Sequence, residues 1–451
     1  EMSMVDRFVC LSLSFLAALL VGFTQPAAAF EKFTAHGGPI KGLATSVDGR
    51  QLVSTSFDYT AVLWSLPDMA EKVQLVGHDA AVNTAAFSPD GRWLATGGDD
   101  NQILLWSLTD IRAGRPPVPQ KLVGHTAKVV HLAFSPDSQL LASSSWDRST
   151  GLWSVATGRS VGYLREHLSP VNASVFADSG RQIFTAGGDG HIRVWDVSRQ
   201  KYLRSVVRNG FGINVMAIDE ALDVLAFGSA DGRMRSESLS GNGPAIDYVI
   251  DGAPVLSIAI DQAAERIAFG DSEGRILVAD ASIGEVDRDF RAVKGPVFSL
   301  QFAEQASQIV LAGLDDWVTR ITFETFTPPD WMAIDGARRF HPDAELDNGA
   351  SQFARKCSVC HSLDQSQKRR AGPTLFGVFG RKAGTLPGYP YSEALLTLDL
   401  VWSEHTIDAL FRDGPDVVTP GSKMPVQRIK QQKDREDLIR FLRSVTMART
   451  E

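Results

Sequence analysis

Two cysteines and a histidine lie close together late in the chain, in residues 356–361, KCSVCH. Two thiols separated by two residues and followed at once by an imidazole form the Cys-x-x-Cys-His motif of covalent haem attachment. Cys357 and Cys360 would each form a thioether bond to the haem edge, and His361 would supply an axial nitrogen to the iron. The motif therefore predicts one haem c site, which the surrounding elements must position.

The N-terminal residues predict export, which suits covalent haem attachment. Arg7 precedes the apolar run FVCLSLSFLAALLVGF, which is followed by TQPAAAF. This layout is typical of a secretory signal peptide over residues 1–29, cleaved after Ala29. An uncleaved anchor is the alternative, but the run is shorter than the roughly twenty residues that a membrane span needs. Cleavage would also remove Cys10 and leave Cys357 and Cys360 in the mature chain. From the predicted signal peptide we expect a periplasmic protein without a membrane span in the mature chain.

The bulk composition leaves room for several domains and excludes some functions. A length of 451 residues, with 44% hydrophobic and 22% charged residues, is ordinary for a soluble protein of two or three domains. The net charge of −8 lacks the basic excess that nucleic-acid binding requires, so we expect no such partner. Three cysteines are too few for a disulfide framework.

A repeat occupies most of the chain before the haem motif. Four units share a histidine, a later aspartate and a tryptophan six residues after that aspartate. The four sets are His36, Asp58 and Trp64; His78, Asp100 and Trp106; His125, Asp147 and Trp153; and His167, Asp189 and Trp195. Three weaker units, SADGRMRSE, DSEGRILVA and LDDWVTRIT, continue a period of about 42 to 47 residues. Short β-prone runs such as LATGG and VLAFGS, separated by Asp-Gly or Pro-Asp turns, predict strands. A repeat of this length forms a four-stranded sheet, which cannot bury both of its faces by itself. Packing sheet against sheet around a ring buries them.

These units resemble the WD-repeat family, in the Gly-His pairs at residues 77–78 and 124–125 and the Trp-Asp pair at residues 195–196. The resemblance implies an all-β, seven-bladed propeller over residues 30–326, in which FEKFTAH pairs with WVTRITF to complete the last blade. It also implies that the repeated His and Asp form buried hydrogen bonds with Trp and a Ser or Thr, not a metal or catalytic site. Blades five to seven lack the His and the Trp, which leaves their internal bonding open.

A second, all-α domain is predicted after the propeller. Pro328 and Pro329 end the strand pattern, so residues 327–344 form a linker and residues 345–451 the domain. The segment LDNGASQFARKCSVCH predicts a helix that ends at the haem motif. Together with AGPTLFGVFGRKAGTLPGYPYSEA, PGSKMP and DLIRFL, it resembles class I cytochrome c of the mitochondrial and bacterial short-chain type.

This resemblance implies further haem contacts. The carbonyl of Pro373 would orient His361, and the thioether of Met424 would be the second axial ligand. Three residues match those that hydrogen-bond the haem propionates, namely Arg381, Tyr391 and Trp402. Met/His ligation raises the reduction potential because soft sulfur favours ferrous iron, and it leaves no open position for oxygen.

The resemblance also implies a helix crossing, and the chain departs from the family at two positions. Gly349 and Phe353 match the pair that packs against the last helix, DLIRFL. Leu410 stands where the family often has a tyrosine bonded to the methionine sulfur, and Leu395 where it often has an asparagine. These departures affect the tuning of the potential, not the ligation.

Three functions are compatible with this organisation. The favoured one is an exported c-type cytochrome that carries single electrons, with the propeller as a docking platform for a redox partner protein. The alternative is a periplasmic oxidoreductase whose propeller binds substrate and passes electrons to the haem. Residues 31–325 contain no phosphate-binding glycine loop, metal-ligand cluster or catalytic triad, so we predict no catalytic residue and favour the carrier. An inert cytochrome remnant on a scaffold is the third.

Basic residues near the haem motif raise a further question about the partner. They are Lys356, Lys368, Arg369, Arg370, Lys382 and Lys423. Such a group would steer an acidic partner toward the haem, or it is simply a solvated face. The sequence leaves both interpretations open.

Overall fold

The computed structural model describes residues 30–66, 68–327, 347–365 and 370–446. In its first part, seven antiparallel sheets of four strands each follow one another, and its last part is helical. The predicted fold class, a seven-bladed propeller followed by a small all-α domain, is confirmed. The predicted signal peptide and all but the first residue of the predicted linker lie outside the described residues.

The elements are numbered in chain order. The strands are β1 (Phe30–Thr34), β2 (Ile40–Thr45), β3 (Gln51–Ser56), β4 (Thr60–Ser65), β5 (Ala70–Val76), β6 (Val82–Phe87), β7 (Trp93–Gly98), β8 (Ile103–Ser107), β9 (Gln120–Leu122), β10 (Val129–Phe134), β11 (Leu140–Ser145), β12 (Thr150–Ser154), β13 (Ser160–Leu164), β14 (Val171–Phe176), β15 (Gln182–Gly187), β16 (His191–Asp196), β17 (Lys201–Arg208), β18 (Ile213–Asp219), β19 (Val224–Ser229), β20 (Met234–Ser238), β21 (Ile246–Val249), β22 (Val255–Asp261), β23 (Arg266–Asp271), β24 (Arg275–Asp280), β25 (Val286–Arg291), β26 (Ser299–Ala303), β27 (Gln308–Ala312) and β28 (Trp317–Thr322). The helices are α1 (Leu108–Arg112), α2 (Asn348–Lys356), α3 (Glu393–Thr397), α4 (Glu404–Asp413), α5 (Pro415–Val418) and α6 (Gln432–Thr446).

The ring closes through its first strand. Six sheets take four consecutive strands, from β2–β5 to β22–β25, whereas the seventh has the order β1-β28-β27-β26. β1 runs antiparallel to β28 in a register from Phe30 opposite Ile321 to Thr34 opposite Trp317. The predicted pairing of FEKFTAH with WVTRITF is therefore confirmed. Pairing the first and last strands of the propeller in one sheet closes the ring and leaves only short outer edges.

Each of the first four blades contains the expected buried hydrogen-bond network. In the first, His36 Nδ1 donates to Asp58 at 3.0 Å and His36 Nε2 accepts from the Ser54 hydroxyl at 2.7 Å. The indole N–H of Trp64 donates to the same hydroxyl at 2.8 Å. The next three blades repeat this arrangement around Thr96, Ser143 and Thr185. These histidines are therefore satisfied structural groups spread around the ring, as predicted.

The network makes blade three sensitive to acid. Burial raises the pKa of the Asp147 carboxyl, but hydrogen bonds from His125 and Ser149 outweigh burial and hold that pKa below its usual range. Because the folded-state pKa is depressed, this stabilisation is present at neutral pH and is lost as the pH falls through the carboxyl range.

Replacing that carboxylate will lower stability in a pH-dependent way. We expect Asp147→Asn to lower the free energy of unfolding by about 2 kcal/mol at pH 7, the usual size for a bond to a charged group. The difference from wild type should shrink below about pH 4, where the unfolded carboxyl takes up its proton. Denaturant unfolding at pH 7 and pH 3 measures both values. The exposed Asp251 provides the control Asp251→Asn. If Asp147→Asn lost the same stability at pH 7 and pH 3, the charge of the Asp147 carboxylate would not be the source of the stabilisation.

Blades five to seven use apolar packing in place of this network. The buried ring of Phe269 in blade six contacts Tyr248 of blade five, with ring centroids 5.5 Å apart. Phe227 is also buried, in blade five. All three sheets keep four strands, and buried apolar side chains stabilise these blades together with polar contacts such as the Ser257 hydroxyl donating to the Val297 carbonyl oxygen at 2.9 Å.

The helical part is built on the crossing of α2 and α6. The rings of Phe353 and Phe441 lie 5.7 Å apart, and a β-carbon on Gly349 would lie only 2.7 Å from that of Phe441. The two helix backbones therefore approach each other at a glycine, as the sequence predicted. The remaining core comes from α4 and the loops, with Ile407 and Phe411 buried.

Any side chain at this crossing will push the helices apart. We expect Gly349→Val to destabilise the helical part by about 1–3 kcal/mol, the usual cost of overpacking. Thermal unfolding followed by helix circular dichroism measures the loss. Arg355→Val introduces the same side chain on the exposed face of α2 and serves as the control. Equal effects of the two substitutions would show that helix propensity, not the close approach, is responsible.

Candidate haem site

Helix α2 delivers the two thiols to the site. Asp347 caps its N-terminus by accepting from the Ala350 N–H at 2.8 Å, and the chain turns directly after Lys356. Backbone bonds from Cys357 N to Phe353 O at 2.9 Å, and from His361 N to Cys357 O at 2.9 Å, hold the motif as a continuous turn. Burial raises the pKa of Cys357 to about 12 and that of Cys360 to about 11, so the unattached thiols are neutral.

His361 is held in the form that binds a metal. Its Nδ1 donates to the carbonyl oxygen of Pro373 at 2.7 Å, which leaves Nε2 free to face the cavity. Burial lowers the pKa of His361, against the opposing effect of the Pro373 bond, so the imidazole is neutral. A β-carbon on Gly372 would lie 2.7 Å from Nδ1, so the backbone passes the ring where only glycine fits.

One cavity collects the predicted site residues. Cys357, Cys360, His361, Pro373, Arg381, Tyr391, Trp402 and Met424 all line it. Its other walls are mostly apolar and include Leu375, Val378 and Phe411. Leu395 and Leu410, at the two positions that depart from the family, lie in the same walls. An apolar slot with an imidazole and a thioether in its lining fits a porphyrin, although the individual roles of the eight residues remain predictions.

The polar side of the cavity contains one group that the sequence analysis missed. Two nitrogens of Arg381 donate to the carbonyls of Phe376 and Thr374, at 3.0 and 2.8 Å. The hydroxyl of Ser392 also lies at the cavity, buried and without a hydrogen-bond partner in the part of the chain that the structure describes. A buried hydroxyl needs a partner, and a haem carboxylate would provide it. The sequence feature that could have identified Ser392 is its position directly after Tyr391, which was itself predicted to contact the haem.

Arg370 does not belong to the basic surface proposed from the sequence. It is 3% exposed, and its guanidinium donates to the carbonyl of Ser358 at 3.0 Å and to that of His361 at 3.3 Å. Both sequence interpretations, a steering group and a solvated face, were wrong for Arg370, because backbone carbonyls accept hydrogen bonds from its guanidinium inside the fold. This arginine braces the loop that carries the haem motif.

Two of the other basic residues are already paired. Lys382 contacts Asp399 at 3.0 Å, and Lys423 contacts Asp79 of the propeller at 2.8 Å. Lys368 and Arg369 lie outside the described residues. The steering surface is therefore smaller than the sequence suggested.

The described ranges contain neither a cluster of metal-ligating side chains nor a helix that could span a membrane. No three His, Cys, Asp or Glu side chains there come together as a metal site would require. No helix in these ranges has the length and apolar character needed to cross a membrane.

Comparison with known proteins divides the chain in the same way. Residues 29–65, 70–107, 117–154 and 158–196 match the family "WD domain, G-beta repeat", and residues 346–446 match the family "Cytochrome c". Cytochrome c of Sesamum indicum is 38% identical over 106 residues, which cover 94% of that protein and 23% of this chain. Cytochrome c of Arabidopsis thaliana is 38% identical over 98 residues, or 87% of that protein and 22% of this chain. Cytochrome c of Euglena viridis is 36% identical over 101 residues, with shares of 97% and 22%.

Proposed function

Because this chain belongs to the cytochrome c family through residues 346–446 and carries haem c there, we propose that it is an exported carrier of single electrons. In this proposal the WD-repeat propeller is the docking platform for its redox partner. The observation that carries the proposal is the presence of Cys357, Cys360, His361 and Met424 around one cavity. When bound, the haem supplies a one-electron couple.

The chain's own residues set the conditions for that couple. Pro373 fixes the imidazole orientation of His361, and the thioether of Met424 favours the reduced iron. The apolar walls exclude water, which disfavours the more highly charged oxidised state. His361 and Met424 would hold the haem iron from two sides, an arrangement that would suit electron transfer.

The propeller offers exposed apolar residues at one end of its ring. Trp146, Leu168 and Phe211 are 48%, 80% and 59% exposed. They lie in the connections after β11, β13 and β17. Each of these connections follows the second or the fourth strand of its sheet. Because neighbouring strands run in opposite directions, all three connections lie at the same end of the ring. We propose that these three residues take part in docking, because they offer apolar surface to a partner at one end of the ring.

The oxidoreductase alternative also has an observation in its favour. A cavity of about 700 Å³ lies at the centre of the ring, lined by the inner strands. Burial, followed by repulsion from Lys128, lowers the pKa of Lys41 to about 8. The Lys41 ammonium lies 3.9 Å from the ring centre of Phe298. A stoichiometric second cofactor in the purified protein, detected by mass and absorbance, would favour this alternative.

The carrier function can be tested by electron exchange. We expect a reversible one-electron titration of the purified protein, with covalent haem in a pyridine haemochrome assay. Trp146→Asp with Leu168→Asp should slow exchange with a protein reductant from the same compartment at least several-fold, and leave exchange with a small mediator unchanged. If the double variant and the wild type exchange electrons with the protein reductant at the same rate, the docking role is contradicted. Cell fractionation of the natural gene product tests export.

A further inference from the structure

Among the residues that the structure describes, one residue of the propeller lines the haem cavity. Tyr59 lies in the turn between β3 and β4, and its side chain lines the cavity together with Cys360 and His361. Every other lining residue belongs to the helical part. Burial raises the pKa of Tyr59 to about 12, consistent with a phenol removed from water. The propeller therefore forms one wall of a site that otherwise belongs to the cytochrome domain.

One ion pair and one close backbone approach lie beside Tyr59 on the same side of the propeller. Lys423, one residue before Met424, donates a hydrogen bond from its ammonium group to Asp79 at 2.8 Å. A β-carbon on Gly38 would lie 3.5 Å from the carbonyl oxygen of Val359, between the two cysteines. Gly38, Tyr59 and Asp79 lie in connections at the same end of the ring, so the three contacts form one continuous surface. We call it the haem-facing surface of blades one and two.

The backbone of Tyr59 supplies an independent observation. Its φ is +70°, in the left-handed region. The same turn position in the next four blades holds Asn101, Arg148, Gly190 and Gly232, also with positive φ. Glycine and asparagine suit this conformation, whereas a bulky aromatic residue is an outlier there. Arg148 has the same φ and does not line the haem cavity, so it is the combination of this backbone conformation with the cavity contact that points to a role for the Tyr59 side chain.

We propose that Tyr59 is a positioning residue of the haem site, which closes the cavity beside Cys360 and so limits access of water and solutes to the haem. This proposal rests on the haem-binding function above and adds a role that the propeller plays within its own chain. A drier cavity disfavours the ferric state, because that state carries the additional charge. Removal of the ring should therefore lower the midpoint potential and speed reduction by small reagents.

Replacement of Tyr59 by a residue that suits the turn separates the two roles. We expect Tyr59→Asn to raise the Tm of the propeller or leave it unchanged, because asparagine tolerates positive φ. The same variant should have a lower midpoint potential and be reduced by ascorbate several-fold faster. Arg148→Asn makes the same change in blade three and should leave both haem measurements at wild type. Tyr59→Phe keeps the ring and should also behave as wild type.

The Lys423–Asp79 pair offers a test that leaves the cavity lining on the propeller intact. Asp79→Lys should separate the surfaces by repulsion and reproduce the faster reduction by ascorbate. Adding Lys423→Asp restores an opposite-charge pair and should restore the rate. Asp251→Lys, in the equivalent connection between β21 and β22, is the control. A zero-length carbodiimide cross-link between Lys423 and Asp79, detected by mass spectrometry, would establish the contact without any redox measurement.

The results discriminate between the proposals. If Tyr59→Asn matches Arg148→Asn in potential and ascorbate rate, or if no cross-link forms in the intact protein, the haem-facing surface is overturned while the electron carrier stands. If the wild type has no reversible one-electron couple, the carrier fails, and the cross-link still tests the contact.

Discussion

Loss of both haem-linking thiols, in Cys357→Ser with Cys360→Ser, will leave the protein without covalent haem and the helical part largely unfolded. The cavity walls are also the core of that part, since Ile407, Leu410 and Phe411 belong to both. Without a bound porphyrin this apolar lining must face water or collapse, at about 25 cal/mol for each Å² left exposed. We expect near-complete loss of the haemochrome signal and of most helical circular dichroism from this domain.

A control keeps this result specific. Arg355→Ala changes an exposed residue on α2, one turn before the motif, and should retain wild-type haem content. The propeller should keep its β-sheet signal in both variants, because its blades are closed by their own strands. Wild-type haem content in the double variant would contradict covalent attachment at these residues.

Replacement of the thioether, in Met424→Ala, will lower the midpoint potential by roughly 0.1 V or more, part of the range of about 0.8 V that axial ligands span. Met424 is presented by a tight turn, in which Ser422 N donates to Thr419 O at 3.0 Å and Gly421 has a φ of +76°. The loop therefore holds the sulfur at the cavity by its own bonds. Loss of the sulfur should also open the iron to added imidazole.

Spectroelectrochemical titration and an imidazole titration measure the two effects. Met234→Leu changes a buried methionine of blade five and should alter neither. An unchanged midpoint potential in Met424→Ala would rule out this residue as a ligand, and the carrier proposal would lose its high-potential couple.

Much of this organisation was predictable because it depends on short-range spacing. Cys357, Cys360 and His361 lie within one turn, so their chemistry is visible in five residues. The first four blades repeat one spacing of His, Asp and Trp, so their network is visible in the sequence of each unit. Charge and local context were poor guides elsewhere. Arg370 looked like a surface residue and is buried under the haem motif, and the role of Ser392 depends on a cavity built by distant segments.

The sequence alone therefore determined the two domains, the haem motif and the blade network, because each follows from residues in fixed local spacing or from a repeated period. Only the tertiary structure decided how the propeller meets the haem domain. The contact between Lys423 and Asp79 joins positions 344 residues apart, and Tyr59 reaches a cavity whose other walls lie some three hundred residues later. No periodicity specifies such contacts, because they depend on how two finished surfaces pack.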